Sequence, residues 1–301
     1  MSGAVLLFVD GLGVGADDPA VNPMARVRGP LLSNFLGDPP GKPLPFGGAF
    51  APLDACLGVE GLPQSATGQT SLLTGRNAQA DLGRHLFGFP NERLRRILGE
   101  SSLLKRAADA GRTARFANAF RPLFFELPKE EMIRRLSATT VATMVAGVPF
   151  FGLSDVREGR AVYQDFTNGA LIERGFDVPR RSPEEAGRIL AEMAGRFDFL
   201  LYEYFLTDKA GHGQDMGEAV ACVEGLESFL GAFLAAADLR DRVVALASDH
   251  GNLEDLSVKG HTRNPAQGFV FGPGATEKAA RLCTILDVCP LLLGALGIAT
   301  E

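Results

Sequence analysis

Short, continuous apolar runs alternate along the chain with longer segments that are apolar at helical spacing. The first run covers residues 4–9 and ends at Asp10-Gly11. Runs of the same character lie at 113–118, 197–205 and 242–247. A continuous apolar run of this length is typical of a strand that is buried on both faces of a parallel sheet.

Helical patterns separate these predicted strands. Residues 101–110 are followed by Gly111, a common residue after the last turn of a helix. The segment 182–185, Ser-Pro-Glu-Glu, has the sequence of a capping box with proline at the first helical position, and it predicts a helix to about residue 196. Residues 216–237 are also apolar at helical spacing. Strands that alternate with helices favour an α/β sheet covered by helices on both faces.

Residues 120–177 interrupt this alternation. They contain apolar clusters at 123–125 and 148–151, a helical pattern at 138–146 and the polar run 165–168. We interpret the segment as a small insertion or lid over one edge of the sheet. The alternative, in which its phenylalanines belong to the ordinary core, stays open. The whole chain, residues 1–301, is otherwise predicted to be a single domain.

Composition and charge limit the class of protein. The chain has 46% hydrophobic and 22% charged residues and a net charge of −6, which is ordinary for a globular enzyme and predicts no nucleic-acid partner. We see no secretory signal and no apolar stretch that approaches eighteen residues, so we expect a cytoplasmic protein without a membrane partner. The four cysteines lack CxxC spacing and are predicted to be buried, reduced thiols. They are Cys56, Cys222, Cys283 and Cys289.

Three of the four histidines lie in the last third of the chain, and two of them accompany an aspartate. The pairs and the third histidine are Asp208 with His212, Asp249 with His250, and His261 in Gly-His-Thr. Imidazole and carboxylate together are ligands of Zn²⁺, Mn²⁺ and related ions. Asp10, Asp208 and Asp249 each follow a predicted strand, and the carboxyl ends of parallel strands meet at one edge of a sheet. We therefore predict a metal site at that edge.

A candidate nucleophile begins the helical-looking segment 65–74. Ser65 would lie at the N-terminus of this helix, where free backbone N–H groups and the positive end of the helix dipole suit a phosphate. A serine in this position is also commonly only an N-cap. The residues alone leave both alternatives open.

The order of these motifs resembles the metal-binding framework of the alkaline phosphatase superfamily, and most of all its branch of cofactor-independent phosphoglycerate mutases and phosphopentomutases. The matching segments run from one end of the chain to the other, and residues 285–297 add to the resemblance. They are Val9-Asp10-Gly11, Gln64-Ser65, Asp208-Lys-Ala-Gly-His212, Ser248-Asp249-His250-Gly251-Asn252 and Gly260-His261-Thr262.

The resemblance implies an alkaline phosphatase-like three-layer sandwich with a mostly parallel central sheet and two divalent ions, Mn or Zn. One ion would be held by Asp208, His212 and His261. The other would be held by Asp10, Ser65, Asp249 and His250.

The implied activity is phosphoryl transfer, by a phosphomutase or a phosphohydrolase that acts on a small phosphorylated metabolite. Ser65 would attack the phosphate ester and form a phosphoserine, with both ions stabilising the displacement. Thr67 is the second candidate nucleophile, but Ser65 keeps the ten-residue spacing to Gly75 that is seen in the mutase branch.

The chain also departs from that branch. It is too short for the large insertion of full-length phosphoglycerate mutases, and Gln69 lies where a histidine or similar residue often occurs. The arginines that hold the substrate cannot be carried over, so candidates come from location alone. They are Arg76, Asn77, Arg84, His85 and Arg121.

Other classes of function remain as alternatives. A sulfatase-like hydrolase shares the spacing from Ser65 to Gly75, but its formylglycine signature has no match in the residues from Thr67 to Gln69. A dinucleotide-binding oxidoreductase would use the glycine-rich turn at 11–15, whose spacing is G-x-G-x-G rather than G-x-G-x-x-G. A non-enzymatic binding protein with the same fold is the third alternative.

Overall fold

Seven strands occur in residues 3–128 and 132–300, the part of the chain that the computed structural model describes. They are β1 (Gly3–Val9), β2 (Pro43–Leu44), β3 (Gly48–Leu53), β4 (Ala114–Phe116), β5 (Phe199–Tyr204), β6 (Arg242–Ala247) and β7 (Ala266–Phe271). They form one sheet in the order β2-β3-β7-β6-β1-β5-β4. The strands β4, β5, β1 and β6 are parallel neighbours, whereas β7 is antiparallel to both β6 and β3, and β2 is antiparallel to β3. Five of the seven strands therefore point in the same direction.

The four strands predicted from apolar runs are β1, β4, β5 and β6, and each predicted end lies within two residues of the observed one. The other three strands were not predicted. Strand β3 contains Pro52, and β7 begins with Ala-Gln-Gly, so neither has a continuous apolar run. Their pairing depends on segments that are far apart in the sequence, since β3 pairs with β7.

Helices cover the two faces of the sheet. In the described residues they are α1 (Pro23–Val27), α2 (Ser65–Thr74), α3 (Ala78–Leu82), α4 (Glu92–Ser101), α5 (Leu103–Asp109), α6 (Pro122–Glu126), α7 (Ala138–Val145), α8 (Leu153–Arg157), α9 (Gly169–Ile172), α10 (Pro183–Ala194), α11 (Leu206–Gly213), α12 (Met216–Ala236), α13 (Ala275–Ala279) and α14 (Val288–Ala295). Short 3-10 turns lie at Pro45–Gly47, Ile133–Arg135 and Ile285–Asp287.

Alternate side chains of β1 enter two separate cores. Ala4, Leu6 and Phe8 pack with residues of α2, α5, α7 and α14. Val5 and Leu7 pack on the opposite face with residues of α10 and α12. Because successive side chains of a strand point to opposite faces, one fully apolar strand joins both cores. The predicted arrangement of helices on both faces of a mostly parallel sheet is confirmed.

Serine caps decide where two of the predicted helices begin. Ser182 and Glu185 form the expected capping box at the start of α10. The helix predicted over residues 101–110 is α5, which begins two residues later than predicted because α4 ends at Ser101 and Ser102 caps α5. The Ser102 side chain accepts from the backbone N–H of Lys105, which is the usual arrangement at an N-cap.

The long helix α12 corrects the expectation that no apolar stretch approaches membrane length. It has 21 residues and a mean hydropathy of 1.6 over an 18-residue window, so by length and composition it could cross a membrane. It packs against α10, and Val223, Leu226 and Phe229 are buried in the core. The core helix of a soluble protein meets the same criterion, so length and composition are weak evidence here.

The segment 120–177, the predicted lid, contributes to two cores. Its helix α7 packs against α4, α5 and β4 in the first main core. Leu153, Val156 and Tyr163 form a small core of their own with neighbouring side chains. Ala119 pairs with Phe151, and Asn118 with Val162, in isolated parallel bridges beyond the end of β4.

The four cysteines are free, but the prediction that all are buried is wrong. Cys289 is buried, Cys56 and Cys222 are half-buried, and Cys283 is exposed.

Candidate metal centre

The three aspartates of the predicted metal site follow three adjacent strands. Asp10 follows β1, Asp208 lies in the first turn of α11 after β5, and Asp249 follows β6. These strands are neighbours in the order β6-β1-β5 and are parallel. Their carboxyl ends therefore bring the aspartates to one edge of the sheet, as the sequence predicts.

Asp10, Asp249 and His250 form one group of candidate ligands, whose ligand atoms all lie within 4.8 Å of one another. Nε2 of His250 lies 3.2 Å from Oδ1 of Asp10 and 3.5 Å from Oδ2 of Asp249. These two carboxylate oxygens are buried and accept no hydrogen bond. Buried charged oxygens without a hydrogen-bond partner are costly unless a cation is present.

Asp208, His212 and His261 form the second group, with ligand atoms also within 4.8 Å of one another. Asp208 lies 3.4 Å from Nε2 of His212, one helical turn along α11, and 3.5 Å from Nε2 of His261. Nδ1 of His261 lies 2.7 Å from the carbonyl oxygen of Pro63. This contact makes Nδ1 the N–H donor and leaves the Nε2 lone pair for an ion, which is the usual arrangement around a metal-binding imidazole.

The charges of the two groups influence one another. Burial and the neighbouring Asp10 raise the pKa of Asp208, and the same causes raise the pKa of Asp249 well above its ordinary value. Burial alone would lower the pKa of His250, but Asp249 and Asp10 outweigh it and raise the pKa to about 10. Burial, with His250 nearby, lowers the pKa of His261 to about 4.

The donor set fits divalent metal ions. Three carboxylates and three imidazoles converge in two groups of three, and mixed oxygen and nitrogen sets of this kind suit Zn²⁺ and Mn²⁺. Two of the carboxylate oxygens have no hydrogen-bond partner in the protein, although they are buried. A cation in each group would neutralise the repulsion that raises the pKa values of the aspartates.

Ser65 is the first residue of α2, and its hydroxyl faces the first ligand group. Its Oγ lies 3.1 Å from Nε2 of His250. The alternative that Ser65 is an N-cap is wrong, because Gln64 occupies that position and provides no side-chain cap. Thr67 is fully buried, and its hydroxyl donates to the carbonyl oxygen of Gln64 and accepts from the N–H of Leu86. Of the two candidate nucleophiles, only Ser65 faces the ligands.

Two glycines allow the backbone to approach these ligands closely. Gly11 has φ +68°, and a Cβ there would lie 2.8 Å from Cβ of Asp208. A Cβ on Gly68 would lie 2.8 Å from the carbonyl oxygen of Asp249. Gly68 thus allows α2 to lie against Asp249, which places Ser65 beside His250.

Sequence reasoning missed the polar residues that hold the ligands in place. Gln69, noted only as a departure from the mutase branch, donates to Oδ2 of Asp10 at 3.0 Å. Asn252 donates to Oδ1 of Asp208 at 2.7 Å. The buried carboxylate of Glu254 accepts from the N–H groups of Gly13 and Asn252, and also from two side chains of the turn after His261. Those donors are Thr262 and Asn264. Asn252 lies inside a quoted motif and Gln69 lies in the predicted helix 65–74, so their positions were a usable signal.

A cavity of about 470 Å³, here called the metal cavity, opens beside the ligands. Its lining includes Asp10, Ser65, Asp208 and His212 together with Glu203. Glu203 is buried at the end of β5, and Oε2 accepts from the hydroxyl of Thr139 at 2.6 Å. Burial raises the pKa of Glu203 to about 7, with Asp10 adding to the rise and the bond to Thr139 opposing it. The exposed Lys209 supplies the cation of the lining.

None of the five candidate substrate residues lines the metal cavity, and only Arg121 lines a cavity beside it. Arg76 pairs with Asp81 and Glu100 at the surface. Asn77 caps α3, while Arg84 and His85 line a separate open depression. These four do not line the metal cavity. Arg121 lines a second cavity that adjoins it.

The glycine turn at 11–15 is occupied by the protein itself. The N–H of Gly13 donates to the Glu254 carboxylate at 3.1 Å, and the next helix begins only at Pro23. A dinucleotide-binding turn needs free N–H groups at the start of a helix. The structure therefore gives the dinucleotide-binding alternative no support.

Comparison with known proteins agrees with the sequence motifs. Residues 173–299 match the family model described as Metalloenzyme superfamily. The 2,3-bisphosphoglycerate-independent phosphoglycerate mutase of Desulforudis audaxviator is 27% identical over 126 residues, which are 40% of this chain and 25% of that protein. The enzyme of the same name from Myxococcus xanthus is 29% identical over 191 residues, which are 58% of this chain and 36% of that protein. The matches thus span about a quarter to about a third of these relatives.

A solved structure shows the same fold over the whole chain. The alkaline phosphatase from the Antarctic bacterium TAB5 superposes with a TM-score of 0.55 at 13% identity, over 99% of both chains. The resemblance predicted from the sequence is therefore confirmed: residues 173–299 match the Metalloenzyme superfamily, and the chain has an alkaline phosphatase-like fold.

Proposed function

We propose that this protein is a metal-dependent phosphoryl-transfer enzyme, a phosphomutase or phosphohydrolase, that acts on a small phosphate monoester. The observation that supports this most directly is the position of Ser65, whose Oγ lies 3.1 Å from Nε2 of His250. Nε2 is the atom at which Asp10 and Asp249 also converge. The relatives named phosphoglycerate mutase support the same class of chemistry.

Two divalent ions, Mn or Zn, fit the two ligand groups. One would be held by Asp208, His212 and His261, and the other by Asp10, Asp249 and His250 with Ser65 beside them. When bound, such a pair of ions lowers the pKa of the nucleophile and neutralises charge on the phosphoryl group.

Residues of the chain carry out the displacement and bind the phosphate. The Ser65 oxygen forms a bond to phosphorus while the bond from phosphorus to the ester oxygen breaks, so that phosphoserine and an alcohol result. The Ser65 hydroxyl loses its proton to water and the departing alkoxide takes one up from water, so the step has no net change in protons. The N-terminal turn of α2 orients its positive dipole end toward the phosphate, and Lys209 adds a cation at the cavity lining.

The fate of the phosphoserine separates the two activities. Transfer of the phosphoryl group to water releases inorganic phosphate, which is the phosphohydrolase reaction. Transfer to another hydroxyl of the same substrate gives an isomer, which is the phosphomutase reaction. Both regenerate Ser65 by breaking the bond between its oxygen and phosphorus.

A panel of phosphate monoesters in Mn²⁺ and in Zn²⁺, scored for free phosphate and for isomerised product, tests the proposal. Ser65→Ala should abolish turnover and acid-trapped phosphoprotein while the metal content persists. Thr67→Ser is the matched control, because it keeps the buried hydroxyl and should keep activity. Full activity in Ser65→Ala would contradict the proposed role.

The same panel with sulfate esters addresses the sulfatase-like alternative. We expect an unmodified serine in the mass spectrum of the peptide that contains Ser65. A formylglycine there, together with sulfate release, would favour the sulfatase-like activity instead.

A further inference from the structure

A second cavity, of about 370 Å³, adjoins the metal cavity. The two share Ser137, Glu203 and Phe205 in their linings, so they lie side by side. We call the second one the arginine cavity, because three guanidinium groups line it. They belong to Arg121, Arg135 and Arg174.

The charge of the arginine cavity is positive. Within residues 3–128 and 132–300, none of its three arginines forms an ion pair with a carboxylate. Among the described lining residues the acidic one is Glu203, which accepts from Thr139. The Asp165 carboxylate, outside the lining, accepts from backbone N–H groups.

Arg121 and Arg174 line the arginine cavity together with Tyr163. Burial raises the pKa of this phenol, while the charges of Arg121 and Arg174 oppose the rise and Asp165 adds to it. Tyr163 is a lining residue of the arginine cavity and belongs to the small core of the segment 120–177. Two arginines from different parts of this segment therefore line the same cavity as this phenol.

Aromatic rings make up the apolar part of the lining of the arginine cavity. Phe120 and Phe124 lie with their ring centroids 4.2 Å apart, and both line the cavity. Phe150 packs edge-on against each of them, which fixes the rings in place. A fixed aromatic wall favours a flat apolar group, and guanidinium groups favour carboxylate or phosphate.

We propose that the arginine cavity binds the alcohol part of the phosphate ester, and that this part combines an apolar body of ring size with a second anionic group held by Arg121 and Arg174. This inference rests on the proposed phosphoryl transfer at Ser65. It differs from what the names of the relatives suggest, because a phosphoglycerate offers an anion without an apolar body.

Three esters separate the contribution of the apolar ring from that of the second anionic group. Phenyl phosphate has only the ring, a phosphoglycerate has only the second anion, and para-carboxyphenyl phosphate has both. We expect kcat/KM for para-carboxyphenyl phosphate to exceed the other two by about tenfold to a hundredfold, the range that hydrogen bonds to charged groups supply. A para-phosphonomethyl analogue tests whether a phosphate-like second anion is preferred to a carboxylate.

The double variant Arg121→Gln/Arg174→Gln should lower the preference for para-carboxyphenyl over phenyl phosphate to about onefold, mainly through KM. Activity on phenyl phosphate should fall by less than activity on para-carboxyphenyl phosphate. Arg134→Gln is the matched control, because Arg134 is an exposed neighbour of Arg135 that does not line the cavity. An unchanged preference, or an equal loss on both esters, would overturn the inference.

Failure of the proposed function gives a different result. In that case the wild-type protein would turn over none of the esters in a manner that depends on Ser65. The cavity is then tested by the binding of the corresponding phosphonates, measured by calorimetry, for which we expect the same preference and the same loss in the double variant. Equal binding of the phenyl and para-carboxyphenyl phosphonates would overturn the inference independently.

Discussion

The imidazole rings of His250 and His261 are stacked, with centroids 3.7 Å apart and an angle of 18° between the ring planes. The two histidines belong to different ligand groups, so the stacking joins the groups into one centre. The residues that would hold the two ions are therefore adjacent, an arrangement that suits two-metal chemistry.

The histidines allow the ions to be counted separately. His212→Ala should lower the metal content from about two ions per chain to about one, because it removes one of three ligands while the group of Asp10, Asp249 and His250 stays intact. Elemental analysis of the dialysed protein measures this. His85→Ala is the control, since His85 lies outside both groups. Two retained ions in His212→Ala would contradict the assignment.

Gly68→Ala should displace the nucleophile. The new Cβ would lie 2.8 Å from the carbonyl oxygen of Asp249, so α2 must shift and move Ser65 away from His250. A displacement of this kind lowers kcat by about a hundredfold. The control is Gly231→Ala in α12, where a Cβ meets nothing within 4 Å. That control should keep kcat and raise the free energy of unfolding by about 0.5–1 kcal/mol.

Equal kcat values for the wild type and Gly68→Ala, at the same metal content, would show that catalysis does not need the close approach of α2 to Asp249.

Glu254→Gln should weaken both the fold and the metal centre. The carboxylate accepts from four donors, whereas an amide turns one acceptor into a donor and faces at least one of them with an N–H group. We expect the free energy of unfolding to fall by about 1–3 kcal/mol. Because the turn that contains His261 loses support, metal affinity should fall by about tenfold to a hundredfold.

Glu227→Gln is the matched control for this variant. Glu227 accepts from the N–H groups of Leu31 and Leu32, away from the ligands. It should lower stability in urea unfolding without changing metal affinity in a chelator competition. Equal losses of affinity in both variants would assign Glu254 a merely structural role.

Glu203→Gln should show a pH-dependent effect on the stability of the metal-free protein. Burial raises the pKa of Glu203 from 4.5 to about 7. A carboxyl group with a raised pKa contributes its full stabilisation of the fold when the pH is below the pKa of the same group in the unfolded chain. That contribution is lost as the pH rises through the pKa in the folded protein, about 7. The glutamine side chain does not titrate. The free energy of unfolding of the variant, relative to that of the wild type, should therefore increase by about 3 kcal/mol between about pH 4.5 and pH 8. Urea unfolding at both pH values measures this, and a constant difference would refute it.

The residues that were hardest to predict are those whose role depends on a distant partner. Ser65 could be a cap or a nucleophile until the fold placed it beside His250, 185 positions away. Glu254 and Glu203 have no distinctive local pattern, and their importance comes from the donors and the burial that the fold supplies. Arg121 and Arg76 look alike in the sequence, yet one lines a cavity and the other pairs at the surface.

The sequence by itself determined the parallel half of the sheet and the three aspartates at its edge. Continuous apolar runs specify buried strands locally, and parallel strands place whatever follows them on the same side. Only the tertiary structure decided the antiparallel pairing of β3 with β7, the stacking of His250 on His261 and the position of the arginine cavity. These features arise from contacts between residues that are far apart in the chain, and no local pattern of hydrophobicity specifies which distant segments meet.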